Sequence, residues 1–208
     1  MAMRVADILT RNVITVSSEA SINDAANLMS SGKISCLICV EGRKPVGILT
    51  ESDLVHVCRL GVDTETTSIE QFLSKPVIAV NSAMNIYEVY DFLLERNLRH
   101  LIVVNEQAEL EGVVTLSDIL KATDFDDYLH AKQIYDVMNR NVKTVTADSS
   151  LEDAIEAMDS MHISCIVVTD RDKAVGIFTE RDAARLLAAK LNTMEPLAKV
   201  FKPAEFSL

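Results

Sequence analysis

Gly47-Ile48-Leu49-Thr50-Glu51-Ser52-Asp53 has the form Gly-h-h-Thr-x-x-Asp, where h is a hydrophobic residue and x is any residue. Two further copies of this motif follow along the chain: Gly112-Val113-Val114-Thr115-Leu116-Ser117-Asp118 and Gly176-Ile177-Phe178-Thr179-Glu180-Arg181-Asp182. The copies are about 65 residues apart, and a fixed period of this length is the signature of a repeat protein.

Other parts of the chain fall into register at the same period. They are the openings Val5–Leu9, Ile69–Leu73 and Ile134–Met138, and the apolar runs Ser35–Val40, His100–Val104 and Ser164–Val168. We therefore divide the chain into repeat 1 (5–61), repeat 2 (69–123), repeat 3 (134–190) and the start of a fourth repeat (191–208). Residues 193–200 match 137–145 with one residue fewer, so we expect a longer protein; the alternative is a natural terminus with an unpaired third repeat.

Each repeat is predicted to contain a short helix followed by strand, helix, strand, strand and helix, which gives an α/β (α+β) fold. In repeat 1 the predicted elements are a helical turn at 5–9, a strand at 13–16, a helix from the cap Ser21 to Gly32, strands at 34–40 and 45–49, and a helix at 50–59. The amphipathic helices of the other repeats are predicted at 85–97 and 150–161, the latter opening with a capping box.

Composition narrows the function classes. The chain has 208 residues, 49% hydrophobic content and a formal net charge of -11, so it can bury a core but lacks the basic face that nucleic acid or an anionic membrane surface requires. It contains no apolar run of the length a membrane helix needs and no secretory signal pattern. We expect a cytoplasmic protein with no nucleic-acid partner and no direct membrane contact.

Cysteine and acidic clusters are interpreted as structural. Cys36 and Cys39 spell C-x-x-C, but residues three apart on a strand point to opposite faces, so we expect these two, Cys58 and Cys165 to be buried, reduced thiols. Asp124, Asp126 and Asp127 lack the glycine and terminal glutamate of a calcium loop, so we expect a solvated linker.

Catalytic and metal-binding patterns are missing from the sequence. The four histidines, at 56, 100, 130 and 162, have no paired metal spacing, and no activated serine or cysteine nucleophile is recognisable. We expect that the chain by itself is not an enzyme and requires no metal or cofactor.

Two interpretations of the motif remain open from the residues alone. A strand that leads into Thr-x-x-Asp and then a helix places backbone N–H groups at a helix N-terminus, where they can bind phosphate. The Thr hydroxyl could donate to a phosphate or ribose oxygen, and the Asp carboxylate could accept from vicinal ribose hydroxyls. The alternative is that Thr and Asp form a capping box that only stabilises the helix start.

The chain resembles the CBS domain family, named from cystathionine beta-synthase, through the ordered openings, strands and Gly-h-h-Thr-x-x-Asp endings of all three repeats. The resemblance implies that two repeats pair by pseudo-twofold symmetry into a Bateman module with two clefts. In this family the clefts commonly bind AMP, ADP, ATP or S-adenosylmethionine, with the Asp on the ribose hydroxyls and the Thr on ribose or phosphate, although many clefts stay empty.

The resemblance implies a set of nucleotide-binding candidates. They are Thr50, Asp53, Thr115, Asp118, Thr179 and Asp182 from the motifs, Arg99 and His100 for phosphate, and Ile14, Thr15, Ile78 and Ala79, with Lys143 and Thr144, near adenine. Repeat 2 is best equipped for a polyanion because repeats 1 and 3 have serine and cysteine where it has Arg99 and His100. Arg99 could instead pair with a surface carboxylate.

Three function hypotheses follow. The first is a ligand-sensing regulatory module that controls an attached output domain. The second is a constitutive dimerisation scaffold with empty clefts, and the third is the regulatory part of a larger enzyme, transporter or cyclic-dinucleotide signalling protein. Because repeat 3 lacks its mate, we expect its pairing face to bind the same repeat of a second chain in a homodimer.

Overall fold

The computed structural model describes residues 3–123 and 133–189. The helices of these parts are α1 (Ile22–Gly32), α2 (Glu51–Leu60), α3 (Ile86–Glu95), α4 (Leu116–Ala122), α5 (Ile134–Val137), α6 (Leu151–Met161) and α7 (Glu180–Ala188), with 3-10 turns at Val5–Asp7 and Ile69–Gln71. The strands are β1 (Thr15–Val16), β2 (Cys36–Glu41), β3 (Lys44–Thr50), β4 (Ala79–Asn81), β5 (His100–Val104), β6 (Leu110–Thr115), β7 (Thr144–Thr146), β8 (Cys165–Asp170) and β9 (Lys173–Thr179).

Each repeat forms its own three-stranded sheet, with the strand orders β1-β2-β3, β4-β5-β6 and β7-β8-β9. The first two strands of each sheet are parallel because a helix connects them. In repeats 2 and 3 the last two strands form an antiparallel hairpin. The predicted mixed α/β fold with the order strand, helix, strand, strand, helix is confirmed.

The long helices begin at the residues whose side chains can cap them. Ser21 accepts a hydrogen bond from the backbone N–H of Asp24, and Ser150 forms the predicted capping box with Asp153. The α1 helix ends at Gly32 as predicted, but the left-handed residue that terminates it is Lys33, at φ 52°. A lysine therefore occupies the left-handed position that ends the helix, although a glycine, which adopts this conformation more readily, directly precedes it.

The residues cluster into two compact units. Unit 1 is drawn from Met1–Ser18, Cys36–Ile48 and Leu73–Met138, and unit 2 from Glu19–Ser35, Leu49–Phe72 and Asn139–Leu208. The division does not follow the repeats, because repeat 1 contributes its sheet mainly to unit 1 and its two long helices to unit 2.

In unit 1 the sheets of repeats 1 and 2 pack face to face. Ile38 of β2 lies against Ile102 of β5 and Val113 of β6, and all three are buried. A backbone hydrogen bond from Leu110 to the Arg43 carbonyl oxygen (2.8 Å) joins the two hairpins. A second core lies between the sheet of repeat 2 and its helices α3 and α4, around Val89, Leu93, Leu101, Val114 and Ile119.

The N-terminal turn of repeat 1 packs in the core of repeat 2. Val5 and Leu9 belong to that core, and the backbone of Thr10 exchanges hydrogen bonds with Val113 (2.9 and 3.0 Å). The turn that opens repeat 2 makes the converse contact in unit 2, where the Ile69 N–H donates to the Ala20 carbonyl oxygen (2.9 Å) just before α1. The opening turns of the two repeats are thus exchanged.

In unit 2 the helices of repeat 1 pack against those of repeat 3. α2 lies against α6 and α7, and α1 against α7. Val55 of α2 is buried with Met158, Phe178 and Leu186 of repeat 3, and Cys58 borders the same core. The sequence analysis paired repeat 1 only with repeat 2, and this helical contact adds a second partner.

Several predictions lie outside the described residues: the acidic linker with Asp124, Asp126 and Asp127, His130, and the start of a fourth repeat at 191–208. Among the helices of the described ranges, none has the length and apolar character needed to cross a membrane.

Candidate functional site

The motif of repeat 2 places its two polar side chains in direct contact. The Thr115 hydroxyl donates to Asp118 Oδ2 (2.7 Å), and the Thr115 backbone N–H donates to the same oxygen (2.9 Å). The Asp118 backbone N–H donates back to Thr115 Oγ1 (3.2 Å), which completes a capping box at the start of α4. Of the two interpretations that the sequence left open, this geometry is that of the capping box, with the hydroxyl proton directed at Asp118.

The same geometry occurs in the other two copies. Thr50 Oγ1 and Thr179 Oγ1 each donate to Oδ2 of the aspartate three residues later, Asp53 or Asp182, at 2.7 Å. The backbone N–H groups of the two threonines donate to those oxygens at 2.7 and 3.0 Å. In all three repeats, therefore, Oδ2 of the aspartate accepts the capping hydrogen bonds, and Oδ1 is the oxygen that is left to accept one from a ligand.

In repeat 2 the phosphate candidates lie beside the motif. His100 opens β5 directly opposite Thr115, the last residue of β6, and the exposed Arg99 precedes it. Ala79, at the start of β4, pairs with Ile102 of the parallel strand β5, so Ala79 and the preceding Ile78 lie toward the same end of the sheet as His100. The predicted residues of repeat 2 therefore lie at the end of the sheet where α4 begins.

Repeats 1 and 3 provide equivalent backbone positions with other side chains. Thr15 pairs with Ile38, and the Ile14 carbonyl oxygen accepts from the Ile38 N–H (3.4 Å). In repeat 3, Thr144 pairs with Val167, and Cys165 stands opposite Thr179 where repeat 2 has His100 opposite Thr115. Thr50 and Asp53 belong to unit 2, whereas Ile14 and Thr15 belong to unit 1.

The surroundings of Asp53 affect the ionisation of its carboxyl. Burial raises the pKa of its carboxyl, against the opposing effect of the hydrogen bonds from Thr50. Glu180 also acts to raise this pKa, and His56 to lower it. A buried carboxyl with a raised pKa is less readily available as an anion than one in water.

The expectation of four buried cysteines is wrong for Cys165, which is exposed, and only Cys39 is fully buried. Cys165 opens β8 as Cys36 opens β2, but Cys36 is half-buried. All four cysteines are free thiols. No cluster of metal ligands occurs within residues 3–123 and 133–189.

The sequence analysis missed three ion-pair contacts between repeats 1 and 3. Arg181 Nε donates to Glu51 Oε1 (2.9 Å), and both residues occupy variable positions of the motif. Asp159 of α6 contacts Arg59 of α2 and accepts from His56 Nδ1 (3.1 Å). The opposite charges at 51 and 181 were the available signal, but only knowledge of the helical packing connects them.

The family model of the CBS domain matches residues 5–59, 69–124 and 134–189. Curated relatives include the L-aspartate semialdehyde sulfurtransferase of Methanocaldococcus jannaschii, 35% identical over 125 residues, which make up 60% of this chain and 24% of that protein. The inosine-5'-monophosphate dehydrogenase of the same organism is 29% identical over 116 residues, 55% of this chain and 22% of the enzyme. The chain thus spans about a quarter of the length of these two relatives.

Solved structures share the fold. Protein MJ1225 of Methanocaldococcus jannaschii, a proposed archaeal homolog of g-AMPK, aligns with a TM-score of 0.85 at 22% identity over 97% of this chain and 83% of its own. The CBS domain pair of protein MJ0100, in complex with 5-methylthioadenosine and S-adenosyl-L-methionine, aligns with a TM-score of 0.54 at 26% identity, over 64% of this chain and all of that pair. A CBS domain protein of Pyrobaculum aerophilum complexed with AMP aligns with a TM-score of 0.56 at 20% identity, over 62% of this chain and all of that protein.

Proposed function

Because this chain belongs to the CBS domain family, we propose that it is a regulatory module that binds an adenosine-containing ligand at the motif ends of its repeats. The observation that carries the proposal is the convergence of Arg99, His100, Thr115 and Asp118 at one edge of the repeat 2 sheet. The complexes of two similar proteins, one with AMP and one with S-adenosyl-L-methionine and 5-methylthioadenosine, support an adenosine ligand.

Within this site we assign each polar group a role that fits its hydrogen-bond inventory. Asp118 Oδ1 accepts from a ribose hydroxyl, since Oδ2 already accepts two hydrogen bonds from Thr115. Thr115 Oγ1 takes part as an acceptor, because its proton is directed at Asp118. Arg99 and His100 bind the phosphate, and the exposed Ala79 at the start of β4, with the half-buried Ile78 before it, contacts the base.

Binding would regulate rather than catalyse. A ligand held at the edge of the repeat 2 sheet lies beside the face through which repeats 1 and 2 pack, so it can favour one packing of the two sheets over another. We propose that this change is passed to an attached or partner domain, since relatives that carry enzyme names extend well beyond the part that this chain matches. Free thiols are in keeping with a cytoplasmic setting.

Isothermal calorimetry tests the proposal. We would titrate the protein with AMP, ADP, ATP and S-adenosylmethionine, with GMP as a control for the base, and repeat the effective titration on Asp53→Ala, Asp118→Ala and Asp182→Ala. We expect selective binding of an adenosine compound and at least a tenfold loss in Asp118→Ala. A folded protein that binds none of the panel would overturn the proposal.

The second candidate is a constitutive dimerisation scaffold with empty clefts. The capping boxes favour it, because each Thr and Asp pair already has a structural role at the helix start that it stabilises. Under this function all three aspartate variants lose stability and no ligand in the panel binds.

We also propose a homodimer through repeat 3. In unit 1, Ile38 and Ile48 of repeat 1 pack in the core between two sheets. The equivalent face of repeat 3 carries exposed apolar residues, Val142, Val175 and Ile177, of which Ile177 is 53% exposed. A sheet face of this composition is suited to bind the same face of a second chain.

A further inference from the structure

The opening turn of repeat 3 is exposed, whereas the opening turns of repeats 1 and 2 are buried. In repeats 1 and 2 the first and last residues of the turn are at most 8% exposed: Val5, Leu9, Ile69 and Leu73. The equivalent apolar residues of repeat 3, Ile134 and Met138, are 79% and 43% exposed. Repeat 3 therefore has an apolar turn without the core into which the other two turns pack.

The last strand of the repeat 3 sheet is exposed at the position where the other two last strands are crossed. Val113 of β6 exchanges backbone hydrogen bonds with Thr10, which follows the opening turn of repeat 1. Ile48 of β3 is paired in the same way with Ser74, which follows the opening turn of repeat 2. The equivalent residue of β9 is Ile177, which is 53% exposed, whereas Val113 is 4% exposed.

The backbone of β9 has the register that such a crossing requires. Ile177 lies opposite Val167 on the edge strand β9, as Val113 lies opposite Ile102 on the edge strand β6. An edge strand presents N–H and C=O groups to a further segment. A Cβ added at Gly176 would meet no described atom within 4 Å, so the crossing position is open among the described residues.

A second backbone contact holds the start of each exchanged turn. The first N–H of the turn donates to a carbonyl oxygen of the other repeat: Val5 to Met84 (3.0 Å) and Ile69 to Ala20 (2.9 Å). Both acceptors stand one residue before the cap of a long helix. The same position in repeat 3 belongs to Ser149, directly before the cap of α6.

We propose that two copies of this chain exchange the opening turns of their third repeats. The turn of each copy packs on the repeat 3 sheet of the other, with Asn139 paired to Ile177 and the Ile134 N–H donating to the Ser149 carbonyl oxygen. The proposal rests on the homodimer proposed above and names the segment that forms it.

A second copy fits this surface because the contact is reciprocal. A twofold axis lets each chain supply the turn that the other lacks, so both exposed parts are covered at once. Another segment of the same chain placed on β9 would cover the strand but leave Ile134 and Met138 exposed.

The exchange makes Gly176 part of the interface. A Cβ at the equivalent Gly112 would lie 2.3 Å from the Thr10 carbonyl oxygen, and a Cβ at Gly176 would meet the turn of the second chain in the same way. Gly176→Ala should therefore weaken dimerisation at least tenfold. In the separated chain the same Cβ meets no described atom, so the stability of that chain is little affected.

Cysteine cross-linking tests the exchange. The variant Asn139→Cys/Ile177→Cys, made together with Cys165→Ser to remove the exposed thiol, places two thiols at the proposed paired positions. Hydrogen-bonded antiparallel partners have Cα atoms about 5.5 Å apart, which a disulfide can span. We expect mild oxidation to give a covalent dimer on non-reducing gels, and mass spectrometry to find positions 139 and 177 in the linked peptides.

The matched control is Arg140→Cys/Ile177→Cys, also with Cys165→Ser. Adjacent residues of an extended chain point to opposite sides, so this variant should form at least tenfold less of the linked dimer. In sedimentation velocity without cross-linking, Ile134→Asp should weaken the dimer at least tenfold. Tyr87→Asp, at an exposed apolar position of repeat 2, should leave the dimer unchanged.

The outcomes separate the exchange from the homodimer. A protein that dimerises without the link between positions 139 and 177 overturns the exchange but not the homodimer, and a monomeric protein overturns both. A link between these positions within one chain also overturns the exchange. So does an Ile177→Cys/Glu195→Cys variant that links within one chain, because Glu195 matches Asn139 at the start of the fourth repeat.

Discussion

At the scale of single residues, each motif aspartate has two carboxylate oxygens, one for the cap and one for the ligand binding that we propose. Asp118 Oδ2 accepts both hydrogen bonds from Thr115, and these bonds stabilise the start of α4 without using Oδ1. The sequence presented capping and ligand binding as alternatives, but the geometry makes them compatible, because Oδ1 of the same carboxylate is not needed for the cap.

Asp53 should leave a signature in the pH dependence of stability. Burial raises its pKa in the folded state, so its protonation stabilises the fold. That contribution is present in full below the unfolded-state pKa and is lost as the pH rises through the folded-state pKa. The free energy of unfolding of the wild type, relative to Asp53→Asn, should therefore fall as the pH is raised from about 4 to 7.

Urea denaturation across this range would measure the difference. Asp148→Asn, at an exposed position, is the matched control for the removal of a carboxylate. A difference between the wild type and Asp53→Asn that stays constant, or that grows in favour of the wild type with pH, would contradict the assignment of the raised pKa to Asp53.

The cysteines should differ in reactivity. Burial raises the pKa of Cys58 to about 12, which leaves almost no thiolate at neutral pH, whereas the Cys165 side chain is exposed. In the folded protein we expect iodoacetamide to modify Cys165 first and to spare Cys58 and the buried Cys39, as read by peptide mass spectrometry. Labelling of Cys58 as fast as Cys165 without unfolding would show that this part of unit 2 is open.

At the scale of elements, the motif glycines of repeats 1 and 2 lie where the opening segment of the other repeat crosses the last strand of the sheet. A Cβ added at Gly112 would lie 2.3 Å from the Thr10 carbonyl oxygen and from Leu9, so the crossing segment leaves no room for a side chain. At Gly47 the corresponding neighbour is Leu73, at 3.0 Å. At Gly176 no described atom lies within 4 Å.

This difference predicts unequal effects of the same substitution. Gly112→Ala should lower the free energy of unfolding by about 1 to 3 kcal/mol, because the Thr10 backbone must move. Gly176→Ala, at the equivalent position, should change it by less than about 0.5 kcal/mol. Thermal or urea unfolding of both variants measures these changes. If the two substitutions lower the free energy of unfolding equally, close approach of the crossing segment cannot be the reason that glycine is required.

The elements themselves were largely predictable, whereas their partners were not. The helix starts could be predicted from capping residues such as Ser21, Asn85 and Ser150, because a capping pattern involves only neighbouring residues in the sequence. The strand predicted at 13–16 is shorter in the structure, Thr15–Val16, since only these residues pair with β2. The exchange of opening turns and the convergence of Glu51 with Arg181 depend on contacts between distant segments, for which a single sequence carries no periodic signal.

At the scale of the whole molecule, repeat 1 is a component of both units, whereas repeat 3 uses its helices but leaves its sheet face exposed. If that face binds a second chain, Ile177→Lys should convert a dimer into a monomer in sedimentation velocity while changing the melting temperature little. Leu94→Lys, on the exposed side of α3, is the control and should remain dimeric. A monomeric wild type, or a dimeric Ile177→Lys variant, would refute the proposed interface.

The measurement that tests the central claim most directly compares Asp118→Asn with Asp118→Ala, in stability and in adenosine binding. An asparagine oxygen can still accept from Thr115 and preserve the cap, but its amide nitrogen replaces the oxygen assigned to the ribose hydroxyls. We predict that both variants bind AMP and S-adenosylmethionine at least tenfold more weakly than the wild type, and that only Asp118→Ala loses about 1 kcal/mol of stability. An Asp118→Asn protein that binds these ligands as tightly as the wild type would contradict the account, as would a wild type that binds neither.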